Sequence, residues 1–305
     1  MRSATRLTLV LLWLGCATCS SFAAPPNLYE WVASAPLVAA AEIRNDRGKY
    51  TDFELTDVLR GAVPKGTRLM VDVKRANRDR EEGRDALRLD PDRQYLLLLR
   101  RDDRRSTAEL TVYGIVRGID GARGLPAEGA PAVLDAVRRF VAVQDRKDEI
   151  AAWKSFREML EETNPLFLET ALDLFAMFRR GDLALLPVLR PLLEHPRPDL
   201  RARTARLVGQ IVERRAEGEI PDDVGILAEL YGRARRDDAV EVRVAATSAL
   251  GGIVGQGPEE ILREIARSDP EQAVRYEAQK LLYERNAAPR PERPGEKPGS
   301  PASKE

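Results

Sequence analysis

Histidine occurs once in the 305 residues, at His195, and cysteine only at Cys16 and Cys19, both near the amino terminus. A zinc site wants about four Cys, His or carboxylate ligands at characteristic spacing, so one histidine beside acids cannot supply one. Cys-His and Ser-His-Asp nucleophile systems fail for the same reason, unless that single histidine serves. His195 follows Glu194 and precedes Pro196 at a helix end, where a cation complements terminal carbonyls. Net charge is also lacking: 49 Lys and Arg balance 49 Asp and Glu, so no global field draws in nucleic acid or an anionic membrane. No Gly-x-x-x-x-Gly-Lys-Ser/Thr loop or calcium-loop pattern is present, and Gly251-Gly252 is followed by no lysine. Aromatic residues are sparse at 6%, and Trp31, Trp153, Phe156 and Phe175 lie among apolar neighbours at helical spacing, which reads as core.

Residues 1–24 carry Arg2 and Arg6, an apolar run from Leu7 to Gly15, and small residues ending in Ser21-Phe22-Ala23-Ala24 before Pro25-Pro26. That order is a secretory signal peptide. Cleavage near Ala23 or Ala24 would remove both cysteines and leave a mature chain without thiols, secreted or periplasmic. Leu14-Gly15-Cys16 ends as a lipobox ends, although Trp13 stands where Leu is usual, so lipidation of Cys16 and a membrane tether are the alternative. No stretch reaches the roughly 18 apolar residues that a spanning helix needs.

The length favours roughly two domains plus terminal segments. The first, residues 25–117, reads as a short helix from Leu28 to Ala33 followed by five strands. These are Leu37 to Ile43, Thr51 to Leu59, Thr67 to Lys74, Gln94 to Arg100 and Glu109 to Val116, short apolar or alternating runs between turn signals. They predict a small antiparallel β-barrel. Asn45-Asp46-Arg47-Gly48 suits a hairpin, and Pro64 presets a turn closing at Gly66. Between Lys74 and Arg93 charges alternate with hardly any apolar residue, which predicts a long mobile loop. Residues 118–131, rich in Gly, Ala and Pro, read as a linker.

From 132 to 286 the apolar period becomes helical, with start and stop signals at Asn164-Pro165, Gly181-Asp182, Pro221-Asp222-Asp223, Gly257-Pro258 and Asp269-Pro270. Internal repeats then organise the helices. Leu200-Arg201-x-x-Thr204-x-x-Leu207-Val208-Gly209 aligns with Val242-Arg243-x-x-Ala246-x-x-Ala249-Leu250-Gly251 and with Val274-Arg275-x-x-Ala278-x-x-Leu281-Leu282. An earlier copy, Phe167-Leu168-x-x-Ala171-x-x-Leu174, lacks the arginine. The small residues at 171, 204, 246 and 278 are 33, 42 and 32 apart, close to the length of two-helix repeats. A small side chain there lets helices approach while Leu, Ile and Val fill the seam. Residues 287–305, with Pro291-x-x-Pro294, read as a disordered proline-rich tail.

These residues resemble the HEAT-repeat family, especially short bacterial HEAT-like repeats with a Val-Arg-x-x-Ala-x-x-Ala-Leu-Gly helix, over about Pro165 to Asn286. The resemblance implies an all-α solenoid. Two departures stand out: a longer loop around Ala216 to Ile220, and Pro187 with Pro191, which should kink or shorten a helix. The strands more weakly resemble the netrin-like, OB-type barrel of tissue inhibitors of metalloproteinases, through Leu37 to Ile43, Val58-Leu59-Arg60-Gly61 running to Gly66, and Gln94-Tyr95-Leu96-Leu97-Leu98-Leu99. In those inhibitors an amino-terminal cysteine chelates the protease zinc. The mature chain has none, so that mechanism does not carry over.

Arg201, Arg243 and Arg275 read as a structural ladder between repeats, with a partner-facing stripe as the alternative; the resemblance implies the ladder. The acid pairs Glu161-Glu162, Asp222-Asp223, Asp237-Asp238 and Glu259-Glu260 mostly adjoin helix starts, where acids cap free amides. The expectation is therefore a non-catalytic exported adaptor, using no cofactor and no metal, that binds another protein through its solenoid surface. Two alternatives remain: a barrel that binds a peptide or glycan, and a hydrolase running on carboxylates alone.

Overall fold

The computed structural model describes residues 27–78, 85–107, 110–214, 224–253 and 256–287. The leader with Cys16, the acid pair Asp222-Asp223, the loop around Ala216 to Ile220, and the tail from 288 onward lie outside the described residues. The chain is a β-barrel followed by a helical region.

Helix α1 (Leu28–Ser34) is capped by Asn27, whose side chain accepts from the Glu30 amide at 3.1 Å. Six strands follow: β1 (Leu37–Asp46), β2 (Thr51–Arg60), β3 (Arg68–Val71), β4 (Gln94–Arg101), β5 (Val112–Ile115) and β6 (Ala122–Gly124). β1 pairs with both β2 and β4, so the order β1-β2-β3-β5-β4 closes into a ring. The barrel expected to be antiparallel is not so throughout, because β3 and β5 run parallel. A closed ring of five strands cannot alternate direction all the way round. One neighbouring pair must be parallel, and a crossover has to join its members. That crossover, read as part of a mobile loop, starts with helix α2 (Val73–Arg78). Asn77 then accepts from the Leu87 amide at 2.6 Å and donates to its carbonyl at 3.1 Å, and Leu87 and Leu89 pack on the barrel core.

The strands divide by how many of their faces are covered. Along β2 burial alternates from Thr51 to Leu55, so one face is core and the other is partly wetted. Along β1 from Leu37 to Ala41, and along β4 from Tyr95 to Leu99, every residue is buried. Leu37, Ala39, Ala41, Tyr95, Leu97 and Leu99 fill the barrel. The residues between them, Val38, Ala40, Leu96 and Leu98, point the other way and join the core of the helices. An unbroken apolar run is the sequence form of a strand covered on both faces.

Barrel and helices therefore share one core, and residues 118–131 are not a linker. A 3-10 turn (Gly118–Gly121) leads into β6, which pairs with β4, and the Leu125 amide donates to the Gln94 carbonyl at 2.8 Å. Ala122 and Leu125 are buried. Gly121 is present because a Cβ there would collide with the Val116 carbonyl, and Gly129 because its φ is +104°. Here glycine marks close approach and a turn rather than slack.

The helices are α3 (Ala130–Gln144), α4 (Glu149–Met159), α5 (Pro165–Met177), α6 (Leu186–Leu189), α7 (Pro198–Glu213), α8 (Val224–Arg236), α9 (Val240–Leu250), α10 (Gln256–Ser268) and α11 (Gln272–Ala287). As Pro187 and Pro191 suggested, 183–194 is broken into α6 flanked by two 3-10 turns. α5, α7, α9 and α11 pack in series, while α8 and α10 lie against α9 and α11 respectively. Ala171, Thr204, Ala246 and Ala278 are fully buried on these helices. At Gly209 a Cβ would come within 2.5 Å of Ala249 Cβ, so α7 and α9 meet almost backbone to backbone.

α1 and the end of α3 lock the two regions together. Arg60, at the end of β2, donates to the Val32 carbonyl at 2.7 Å and to Gln144 Oε1 at 2.6 Å; Gln144 donates to the Tyr29 carbonyl at 2.6 Å. Tyr29 stands edge-on to Phe140 and Phe156, with ring centroids 5.7 and 5.3 Å away. Burial pushes its hydroxyl up to about 12, against the pull of Arg60. Trp153, Phe156 and Phe175 continue the same aromatic cluster.

Candidate functional site

The repeated arginines fall at one register on α7, α9 and α11. Each sends Nη1 to the carbonyl six residues earlier: Arg201 to His195 at 2.9 Å, Arg243 to Asp237 at 2.8 Å, and Arg275 to Asp269 at 2.6 Å. The other edge of the guanidinium reaches the next repeat. Arg201 Nε and Nη2 meet the two Asp237 oxygens at 2.9 and 2.7 Å, and Arg243 Nε and Nη2 meet those of Asp269 at 3.0 and 3.3 Å. These are bidentate pairs between planar groups, the geometry for which Arg is suited and Lys is not.

Asp237 and Asp269 each do a second job, accepting the backbone amide two residues on, Ala239 at 3.0 Å and Glu271 at 2.9 Å. One carboxylate thus closes the turn that leads into its own helix and anchors the earlier helix of the series. Burial pushes the Asp237 carboxyl up, but the Arg201 pair and the Ala239 amide outweigh it and hold the group below the ordinary carboxylate range. Hydrogen bonding to Asp237 in turn raises Arg201. Arg201 and Arg243 are buried, so neither offers its charge to a partner. Among the described residues no further repeat follows that of Arg275. Besides Nη1, which also reaches the Pro270 carbonyl at 2.8 Å, its guanidinium makes no contact among the described residues.

The first copy explains His195. α5 carries Leu168 at the arginine register, so no cation reaches forward to α7, and the position of Asp237 and Asp269 is held there by histidine. His195 Nδ1 accepts from the Arg197 amide at 3.1 Å, two residues on, as the aspartates do. It keeps the capping half of the role without the ion pair. His195 does stand at a helix end, closing the 3-10 turn Arg190–Glu194, and there its ring answers the amide that follows. Sequence reasoning found the arginines and missed their acceptors, whose signal was an aspartate six residues ahead of each later arginine.

One acid of each remaining described pair meets an arginine: Glu162 pairs with Arg139 at 2.5 Å, Glu259 with Arg263, and Asp238 with Arg201 at 2.8 Å. Among the described residues no group of three or more His, Cys, Asp or Glu could hold a metal ion, and no helix is long and apolar enough to cross a membrane.

A second feature lies on the barrel, where a groove of about 760 Å³ opens between α2, the end of β4, the β4–β5 turn and the segment after β5. Arginine and aspartate dominate its walls. Arg75 pairs with Asp102 at 3.2 Å, Arg101 with Asp103 at 3.0 Å, and Arg105 with the buried Asp72. Arg104 and Arg117 have no side-chain partner among the described residues, and Arg100 reaches only the Ser34 carbonyl, at 3.5 Å. Arg117 also adopts the left-handed backbone conformation, with φ +61°, which is costly for a residue with a Cβ. Three guanidinium groups without carboxylate partners among the described residues thus line one cavity.

Comparison with family models, with curated proteins and with solved structures finds no match for this chain.

Proposed function

We propose that this chain is a non-catalytic exported binding scaffold, a HEAT-like solenoid joined to an OB-like barrel, that holds another protein on its helical surface. The observation that supports it most directly is the arginine–aspartate ladder. Struts between repeats fix the spacing of α7, α9 and α11, and a surface of fixed shape loses little freedom on binding. Export rests on the leader pattern of residues 1–24, and Cys16 is the residue that a lipid anchor would use. Glu162, Asp237, Asp238 and Glu259 are engaged by arginines, and no observation favours a hydrolase.

A second reading has its own observation. The groove with unpartnered Arg100, Arg104 and Arg117 suits a peptide or glycan bearing carboxylates, with the helices as its frame. Cutting the chain at residue 132 cannot separate the two readings, because it strips β1, β4 and α1 from the shared core. Photo-crosslinkers placed singly at Arg104, Arg117, Arg235 and Arg263 in the native envelope can. Adducts at Arg235 and Arg263 are expected from the scaffold, adducts confined to Arg104 and Arg117 from the groove, and silence at all four and at a fifth crosslinker at the exposed Gln279 of α11 sinks both.

A further inference from the structure

We infer that the outward face of α11 docks a partner protein segment that presents an aspartate at the start of a helix, and that Arg275 receives that carboxylate. This rests on the scaffold reading and names where and how one partner is held.

The repeats themselves define the missing group. Arg201 and Arg243 share two contacts, a carbonyl six residues back and a capping aspartate of the next helix. Arg275 keeps the first, at 2.6 Å from the Asp269 carbonyl, and its Nε and Nη2 hold no partner among the described residues. The Glu271 carboxylate, one turn away, forms no ion pair with it. An arginine anchored on one edge and open on the other is already oriented, so a carboxylate meets a group that has lost most of its freedom.

The rest of the face fits a protein partner. Tyr276 and Tyr283 are 66% and 75% exposed, although their counterparts one repeat earlier, Val244 and Gly251, pack inward against the core and against Leu281 of α11. Gln272, Arg275, Tyr276, Gln279 and Tyr283 share one side of the helix at spacings of three and four. Exposed tyrosines beside an arginine are the residue types that dominate protein interfaces. The row holds no acid, so a second copy set against it offers Arg275 no carboxylate. A further repeat of the same kind is disfavoured too, since Tyr283 stands at the register where Gly209 and Gly251 allow close approach.

The test uses the full mature chain and a labelled helical peptide beginning Asp-Pro-Glu-Gln-Ala-Val, matched with one in which Asn replaces the Asp. Saturable binding of the Asp probe is expected, about tenfold weaker for the Asn probe and for Arg275→Gln, as a charge-assisted bidentate contact implies. Tyr276→Ala should weaken it severalfold, and Lys147→Ala, in the exposed turn between α3 and α4, should leave it unchanged; thermal melts of each variant check folding. Equal affinity for both probes, indifference to Arg275→Gln, no saturable binding, or sedimentation as a dimer that Arg275→Gln dissolves would each overturn the inference. Crosslinks at Arg235 or Arg263 that persist under those outcomes keep the scaffold reading intact.

Discussion

Arginine is used in opposite ways by the two halves of this protein. In the barrel Arg100, Arg104 and Arg117 line a groove and have no carboxylate partner among the described residues. In the helical stack Arg201 and Arg243 are drawn inside, each satisfied on both edges. The residue type is the same, so its surroundings decide its role. A repeat supplies a carbonyl and an aspartate at fixed offsets, and an arginine that finds both can leave water without an uncompensated charge. A β-turn such as that from Asp102 to Arg105 supplies no second copy of itself to answer the charges it exposes.

The sharpest break of this contrast is by deletion. Arg201→Ala or Arg243→Ala strands a buried aspartate and should cost about 3–5 kcal/mol in urea denaturation, whereas Arg104→Ala or Arg117→Ala should change stability by less than about 0.5 kcal/mol. Replacing Arg201 and Asp237 together by Met and Leu should recover most of that loss, since the Ala239 amide still has Asp238 Oδ1 at 3.1 Å. Similar losses in both halves would erase the distinction.

Titration sharpens it next. Tyr29, where barrel and stack meet, is raised from 10.0 to about 12 by burial, so the unfolded chain gives up this proton first as pH rises. Its contribution is complete below pH 10, is lost on the way to about pH 12, and amounts to about 2–3 kcal/mol at most. Tyr29→Phe should abolish that alkaline loss in melts between those limits. Asp237 has the opposite sign: its lowered carboxyl stabilises the fold above the ordinary carboxylate pKa of about 4 and ceases to do so as pH falls through its own value.

The smallest expected effect tests an exception within the stack. Thr247 on α9 is fully buried, and its hydroxyl has no hydrogen-bond partner among the described residues. Thr247→Val keeps the shape and removes the unsatisfied group, and should raise stability by up to about 1 kcal/mol in the same denaturation assay. A loss instead would show that the hydroxyl is satisfied.

Much of this was legible beforehand because it is local. Strand positions followed from short apolar runs, α5 from Asn164-Pro165, and the broken segment near α6 from Pro187 and Pro191. The unbroken runs Leu37 to Ala41 and Tyr95 to Leu99 also carried the message that both faces of β1 and β4 are covered. Reading 118–131 as a linker concealed what covers them. Gly121 and Gly129 look alike in a sequence, yet one permits a close approach and the other a turn.

Alone, the sequence determined the two periodicities, the register of the small residues at 171, 204, 246 and 278, and the recurrence of the arginines, since each depends on spacing along the chain. Only the tertiary structure decided that β3 and β5 run parallel, that the barrel and helices close over one core, and that Asp237 and Asp269 answer Arg201 and Arg243. The reason is separation. Ring closure and ion pairs between repeats join residues 26 or more positions apart, and the aspartate six residues ahead of each later arginine marks a repeat position without showing which arginine it meets.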